Sequence, residues 1–145
     1  MRMKEVVVVL PYTDNRVLMQ LRDYNPGISY PGHWGFFGGS IEEGEKPEQS
    51  AARELFEETG YKAETLNKLD TDHLFGSVNI IIHSFSCILK TSVGNLTLTE
   101  GFDLGLFSLE EIKSKKLYSR RMKKVFPVIS HEYIEITIEK ILKTF

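Results

Sequence analysis

Glu54, Glu57 and Glu58 are the side chains of this 145-residue chain whose type and spacing best suit chemistry. They lie in a predicted helix from Pro47 to Thr59, where proline suits the first turn and Gly60 sits where a helix stops. At about 100° per residue the three carboxylates share one arc of about 100°. Ala51, Ala52, Leu55, Phe56 and Thr59 occupy the other side. Like charges spaced i, i+3 and i+4 repel, by roughly a few tenths of a kcal/mol per pair. A hard divalent cation reverses that sign, because Mg²⁺ takes oxygen ligands and favours carboxylates combined with phosphates. Arg53, one turn before Glu57, is placed to pair with that carboxylate and hold its rotamer. Taken alone, Arg-Glu-Leu-Phe-Glu-Glu is the ordinary pattern of a solvated helix face.

The segment before the helix changes that reading. Gly38-Gly39 ends a predicted strand, five residues separate Gly39 from Glu45, and seven separate Glu45 from Arg53. Gly39 to Tyr61 therefore matches G-x5-E-x7-R-E-U-x-E-E-x-G-U, with U a bulky aliphatic residue. Seven fixed positions at average residue usage coincide by chance with a probability on the order of 10⁻⁸ to 10⁻⁹. That string is the Nudix box, and the chain resembles the Nudix hydrolases over most of its length. The resemblance implies an α/β fold, an α/β/α sandwich around a mixed sheet, with the box helix at about 47–59 and a helical C-terminus. It also implies metal-dependent hydrolysis of a diphosphate bond in a nucleoside diphosphate linked to another group. A nucleoside triphosphate, ordinary or oxidised, giving monophosphate and pyrophosphate is the leading expectation.

By the same resemblance, Glu54, Glu57 and Glu58, with the Gly38 carbonyl, hold Mg²⁺, for which Mn²⁺ is a substitute. Glu57 and Glu58 are the ligands expected to be least dispensable, and Glu57 is also counted as catalytic. Arg53 orients the carboxylates, and Glu45 is a structural residue near the helix start. Outside the box, Glu100 is the best acidic candidate for general base, with Asp103 a weaker one. Arg22 ends the second strand, where a cation meets substrate phosphate. Tyr30, Trp34, Phe36 and Phe37 are candidates to stack a nucleobase, Trp34 and Phe37 being the substrate-binding expectation, although strand alternation must send some of them into the core. His33 could bond a ligand, whereas His73, His83 and His131 show no metal-ligand spacing. The box departs from the pattern twice: Tyr61 replaces the last aliphatic residue, and Lys46 is a poorer N-cap than Ser, Thr or Asp.

No proline stands at the spacing linked to ADP-ribose hydrolysis, and no tyrosine at that linked to dinucleoside polyphosphates. Two other readings keep the fold. One is a nucleotide-binding regulatory module without turnover, which has no need of all three carboxylates. The other is an isoprenoid diphosphate isomerase, which needs an active-site protonating residue that Cys87, in an apolar strand, supplies poorly. Nucleotide-sugar and other diphosphate substrates stay open.

These side chains need a scaffold. The length suits one domain over 1–145, and 41% hydrophobic with 26% charged residues is ordinary globular usage. A net charge of −2 offers no basic excess, so neither nucleic acid nor membrane is expected as a partner. The single cysteine cannot form an internal disulfide. Met1 to Leu10 carries a short apolar run and no cleavage site, which makes the cytoplasm the default compartment. Monomer and homodimer are both compatible with the pattern.

Val6 to Leu10 and Arg16 to Leu21 are predicted strands of a hairpin around Thr13-Asp14-Asn15. Asp23 to Pro31 is a loop. Asp72 to Leu89 is one long strand or two joined pieces. Ser108 opens a capping box for a helix to about Lys116. Pro127 is expected to break any helix begun near Arg120. Ile134 to Phe145 fits both periods, with helix preferred.

Overall fold

The computed structural model describes residues 3–27, 30–74, 79–129 and 137–140. In chain order the elements are β1 (Lys4–Thr13), β2 (Arg16–Leu21), β3 (Trp34–Gly35), β4 (Phe37–Ser40), α1 (Pro47–Thr59), β5 (Asn67–Leu74) and β6 (Ile80–Ile88). A 3₁₀ turn at Val93–Asn95 leads to β7 (Asp103–Ser108), α2 (Leu109–Lys113), β8 (Lys116–Ser119) and β9 (Lys124–Pro127).

The β-branched run of β1 places it at the centre of a mixed seven-stranded sheet, because such a run is stable only when covered on both faces. One edge of β1 runs parallel to β6, from Lys4↔Ile80 to Tyr12↔Ile88. Its other edge pairs antiparallel with β4 over Val6 to Val9 and with β2 at the Tyr12–Arg16 turn. β7 adds to β2, and β8 with β9 forms a separate two-stranded sheet.

Alternation along the strands sorts side chains into two cores. Val7, Val9, Leu18 and Phe37 pack with Ala51 and Leu55 of α1. Leu10, Val17, Met19, Leu21 and Trp34 pack on the opposite face with Ile112, Leu117, Phe126 and Ile138. Sheet between helices is the layered arrangement expected.

Several expectations are met and several are corrected. The predicted hairpin and box helix form as described. Of the two readings of the 72–89 segment the two-piece one holds, as an antiparallel pair in which β5 starts earlier, at Asn67. The Ser108 box caps α2 with both reciprocal bonds, but α2 ends at Lys113, and Lys115 takes a left-handed φ of 67°. Near Arg120 the chain forms the β8–β9 hairpin rather than a helix, and Pro127 closes β9, where a strand tolerates proline. At the C-terminus residues 137–140 are helical, with Lys140 paired to Asp70 of β5. The rest of the ambiguous Ile134–Phe145 segment lies outside the described residues.

Trp34 and Phe37 are fully buried, one in each core, so neither offers a ring to a substrate. Alternation across β3 and β4 sends them to opposite faces, and packing takes both. Trp34 Nε1 donates to the Leu117 carbonyl at 3.1 Å, and its ring stands edge-on to Phe107 at 4.9 Å. Trp34→Phe removes that donor and leaves space unfilled. It is expected to lower the unfolding free energy by about 2 kcal/mol, read as a lower urea midpoint at unchanged slope.

Candidate active site

The site grows from the contact of α1 with β4. Lys46 supplies no side-chain cap, as its type predicts; instead the Gln49 side chain accepts from the Lys46 N–H at 2.9 Å. Gly60 closes α1 in the left-handed conformation, φ 72°, with its N–H on Phe56 O. Tyr61 does more than fill an aliphatic position. Its body packs on the α1-side core while its hydroxyl donates to Ile88 O at 2.9 Å and accepts from Lys90 N–H at 3.0 Å.

Arg53 organises the acidic face. Its Nε donates to Glu45 Oε2 at 2.7 Å and its Nη2 to Glu45 Oε1 at 3.0 Å, a bidentate pair. Nη1 reaches Glu54 at 3.2 Å and Glu57 at 3.2 Å, with Glu42 at 3.7 Å. The guanidinium lowers the Glu45 carboxyl to about 2, and its own proton is held more tightly than usual, chiefly by Glu45. Glu45 is thus structural, clamped from the loop onto the helix.

Glu58 points the other way, toward β4. The Gly38 N–H donates to its Oε2 at 3.2 Å. A Cβ at Gly38 would strike the Val7 carbonyl, and one at Gly39 would push the Glu54 carboxylate aside. The two glycines let β4 run close beneath the carboxylates.

Glu54 and Glu58 open onto a cleft of about 210 Å³ whose other walls are Gln20, Arg22, Asp23, Asn25, Gly38, Glu100 and Gly101. Glu100 arrives from 42 residues beyond Glu58 because its loop is stitched in place. Gln20 Nε2 donates to Glu100 O at 3.0 Å, Thr99 Oγ1 to Glu57 O at 2.9 Å, and Gly101 N–H to Asp23 Oδ2 at 3.2 Å.

Burial and neighbouring negative charge both disfavour the ionised form of a carboxyl. Burial, then Glu54 and Glu100, push the Glu58 carboxyl up to about 8, and burial also raises Glu54. Arg22 faces this cleft, and its Nε is a buried donor with no partner among the described residues. The same cleft therefore carries excess negative charge on one wall and an unsatisfied cationic donor on another. Hard oxygen donors with raised pKa values suit a divalent cation, and the lone guanidinium suits the anion such a cation would bring. Among the described residues no group of three or more His, Cys, Asp or Glu side chains stands arranged to hold a metal ion.

The structure therefore brings together Gly38, Glu54, Glu58, Glu100 and Arg22. Glu57 lies outside the cleft lining, exposed and tied to Arg53. Asp103 is withdrawn: it is buried at the start of β7, accepting from Ser119 Oγ at 2.7 Å and pairing with Arg121. Phe36 is buried, whereas Tyr30 stays exposed with its ring 5.9 Å from that of His33. His33 bonds Pro31 O. Sequence reasoning missed Gln20, Asp23, Asn25 and the exposed Tyr24, which stands edge-on to Phe102 at 5.1 Å. The available signal was their place beside Arg22, Gln20 near the end of β2 and the others in the loop that follows it.

A mixed sheet between helices, with this box along one helix, agrees with a family match over most of the chain. The NUDIX domain model matches residues 1–129, and the chain belongs to that family. The oxidized purine nucleoside triphosphate hydrolase of Danio rerio is 39% identical over 66 residues, covering 46% of this chain and 40% of that protein. The protein of the same name from Mus musculus is 37% identical over 82 residues, covering 54% of this chain and 51% of that one. The chain thus matches about half the length of these curated relatives, or less. Among solved structures, the MutT NUDIX hydrolase of Burkholderia pseudomallei superposes with a TM-score of 0.72 at 18% identity, covering 97% of this chain and 99% of that one, which shows the fold. The E. coli ORF135 protein gives 0.70 at 25% identity, covering 99% and 91%.

The Glu58 shift has a stability consequence. A carboxyl raised from 4.5 to about 8 on folding favours the folded state while protonated, so its contribution is full below pH 4.5 and fades as pH rises toward 8. The metal-free protein is expected to melt at progressively lower temperature across that window. Glu58→Gln should flatten the trend and raise the melting temperature at the alkaline end, by about 4 °C per kcal/mol gained. Thermal melts in chelator across that pH range check it.

Proposed function

We propose that this chain hydrolyses nucleoside triphosphates, oxidised purine forms included, to monophosphate and pyrophosphate with Mg²⁺ as cofactor. The observation that carries the reading is the cleft itself, lined by Glu54, Glu58 and Glu100 together with Arg22, whose Nε has no partner among the described residues. The names of the curated relatives support a triphosphate as substrate, and a divalent metal accords with membership of the family.

Glu54 and Glu58, with the Gly38 carbonyl, would hold the metal, all of them hard oxygen donors; Glu57, held outside the cleft by Arg53, would join them by exchanging that partner for the metal. Mg²⁺, or Mn²⁺ in its place, supplies charge neutralisation on the phosphate oxygens and a bound water of lowered pKa. The remaining work falls to side chains. Arg22 takes a phosphate oxygen, meeting the donor that is otherwise buried without a partner. Glu100 accepts a proton from the attacking water, positioned by the Gln20 and Thr99 anchors of its loop. Arg53 is a positioning residue: by holding Glu45, Glu54 and Glu57 it sets the rotamers of the carboxylates. Base recognition would fall to the loop after β2, where the exposed Tyr24 lies between the cleft residues Asp23 and Asn25 in the chain.

A product-resolved hydrolysis screen with Mg²⁺ tests the reading. The panel holds ordinary and oxidised nucleoside triphosphates, nucleotide sugars, ADP-ribose and dinucleoside polyphosphates. Monophosphate and pyrophosphate from a triphosphate are expected, with Glu57→Gln and Glu58→Gln nearly silent. Glu100→Gln should lower kcat by about 10²- to 10⁴-fold if it is the base. Arg53→Lys should weaken metal dependence by about 10- to 100-fold, as loss of a ligand-orienting partner does. Nucleotide binding seen by calorimetry, with no product from any panel member, would overturn the hydrolase in favour of a binding module.

A further inference from the structure

A second groove, of about 700 Å³, shares no lining residue with the acidic cleft. Its walls come from β7, α2 and β8, and it includes Arg16 at the far end of β2 from Arg22. Six residues of extended chain set those two arginines roughly 20 Å apart.

The charge around this groove is unlike that of the protein as a whole. Residues 113–124 hold seven of the chain's 18 Lys and Arg and no Asp or Glu. The other eleven cations are set against 20 carboxylates, so a segment of +7 sits on a remainder of −9. The net charge of −2 conceals this separation.

The β8–β9 hairpin displays the segment. Leu117, Ser119 and Phe126 turn inward and are buried, which leaves Lys116, Tyr118 and Arg120 at alternate, exposed positions along one side. All three line the groove, as does Arg16. None of Arg16, Lys116 and Arg120 has a side-chain ion pair or hydrogen bond among the described residues. Tyr118 is 54% exposed, opposite Val125 across the hairpin. The acids nearby are already engaged. Glu111 accepts from the Ser108 N–H at the α2 cap, and Asp103 is held by Ser119 and Arg121.

We infer that this groove binds single-stranded nucleic acid. Unpaired cations on either side of an exposed aromatic ring match alternating phosphates and bases, the combination by which single strands are held without sequence preference. Lys116 lies in β8 and Arg120 in the turn that follows it, with Tyr118 between them, a spacing that suits successive phosphates of a strand. The inference is independent of the hydrolase reading, because none of its residues enters the acidic cleft.

The test is fluorescence anisotropy of the full chain with labelled oligo(dT) and oligo(U) of about 12 nucleotides. Three phosphate contacts predict a slope of about −2 for log affinity against log salt concentration. Lys116→Gln with Arg120→Gln should reduce the slope to about −0.7. Tyr118→Ala should weaken binding by at least about fivefold, while Tyr118→Phe keeps the ring and the affinity. Unchanged circular dichroism and unchanged Mg²⁺-dependent hydrolysis in these variants establish that fold and cleft are intact. Two outcomes overturn the inference. One is no anisotropy change with either oligonucleotide at low salt. The other is equal binding of polyglutamate or phosphatidylserine vesicles that ignores Tyr118→Ala, which reassigns the groove to an acidic protein or a membrane.

Discussion

One guanidinium governs the acidic face of this protein. Arg53 sits among Glu42, Glu45, Glu54 and Glu57 and contacts all four, its shortest bonds going to Glu45. A single positive charge against four carboxylates cannot neutralise them, yet it fixes where they stand. Glu58, one residue beyond Glu57, receives none of that charge and takes an N–H from Gly38 instead. The helix is therefore left with a deficit of positive charge at the point where β4 approaches it. Folding tolerates the deficit because the opposite side of α1 buries Ala51 and Leu55 in the core. Apolar burial of that kind, roughly 25 cal/mol per Å², holds together carboxylates that would separate in an isolated helix.

The sheet makes the same arrangement possible from below. β1 is paired along both edges, and its register with β4 puts Gly38 and Gly39 opposite Val8 and Val7. Residues with side chains at those glycines would strike the Val7 carbonyl or the Glu54 carboxylate. Because Gln20 shares the α1-side parity of Leu18, its amide reaches the Glu100 carbonyl and draws the loop before β7 against the end of α1. The cleft is thus a junction of four segments widely separated along the chain.

Charge on this molecule is distributed by place rather than by total. The acidic cleft and the basic groove share no lining residue, yet they adjoin: Asp103, which pairs with Leu21 beside Arg22, is held by Ser119 and Arg121 of the basic hairpin. A whole-chain balance near zero describes neither.

Much of the candidate site was legible in the residues because its signals are local. Helix period, the proline start, the glycine stop and the fixed spacing from Gly39 to Glu58 all lie within one short stretch, and they fixed α1, its acidic face and the family. The β-branched run of β1 and the turn after it gave the first hairpin for the same reason. What the sequence left undecided depended on contacts between distant segments. Trp34 and Phe37 carry the composition of a base-stacking pair, and only the alternation of β3 and β4 against two covered faces made them core. Asp103 and Glu100 look alike as loop acids; Ser119 and Arg121, brought in by the β8–β9 hairpin, engaged the first, while Gln20 and Thr99 delivered the second to the cleft. The short strands β7, β8 and β9 carry too few residues to announce a period and form because a neighbouring edge or core accepts them. Sequence alone determined which groups are chemically able, through spacing along one helix; tertiary structure decided which of them meet, because burial and strand pairing act between residues that the chain keeps far apart.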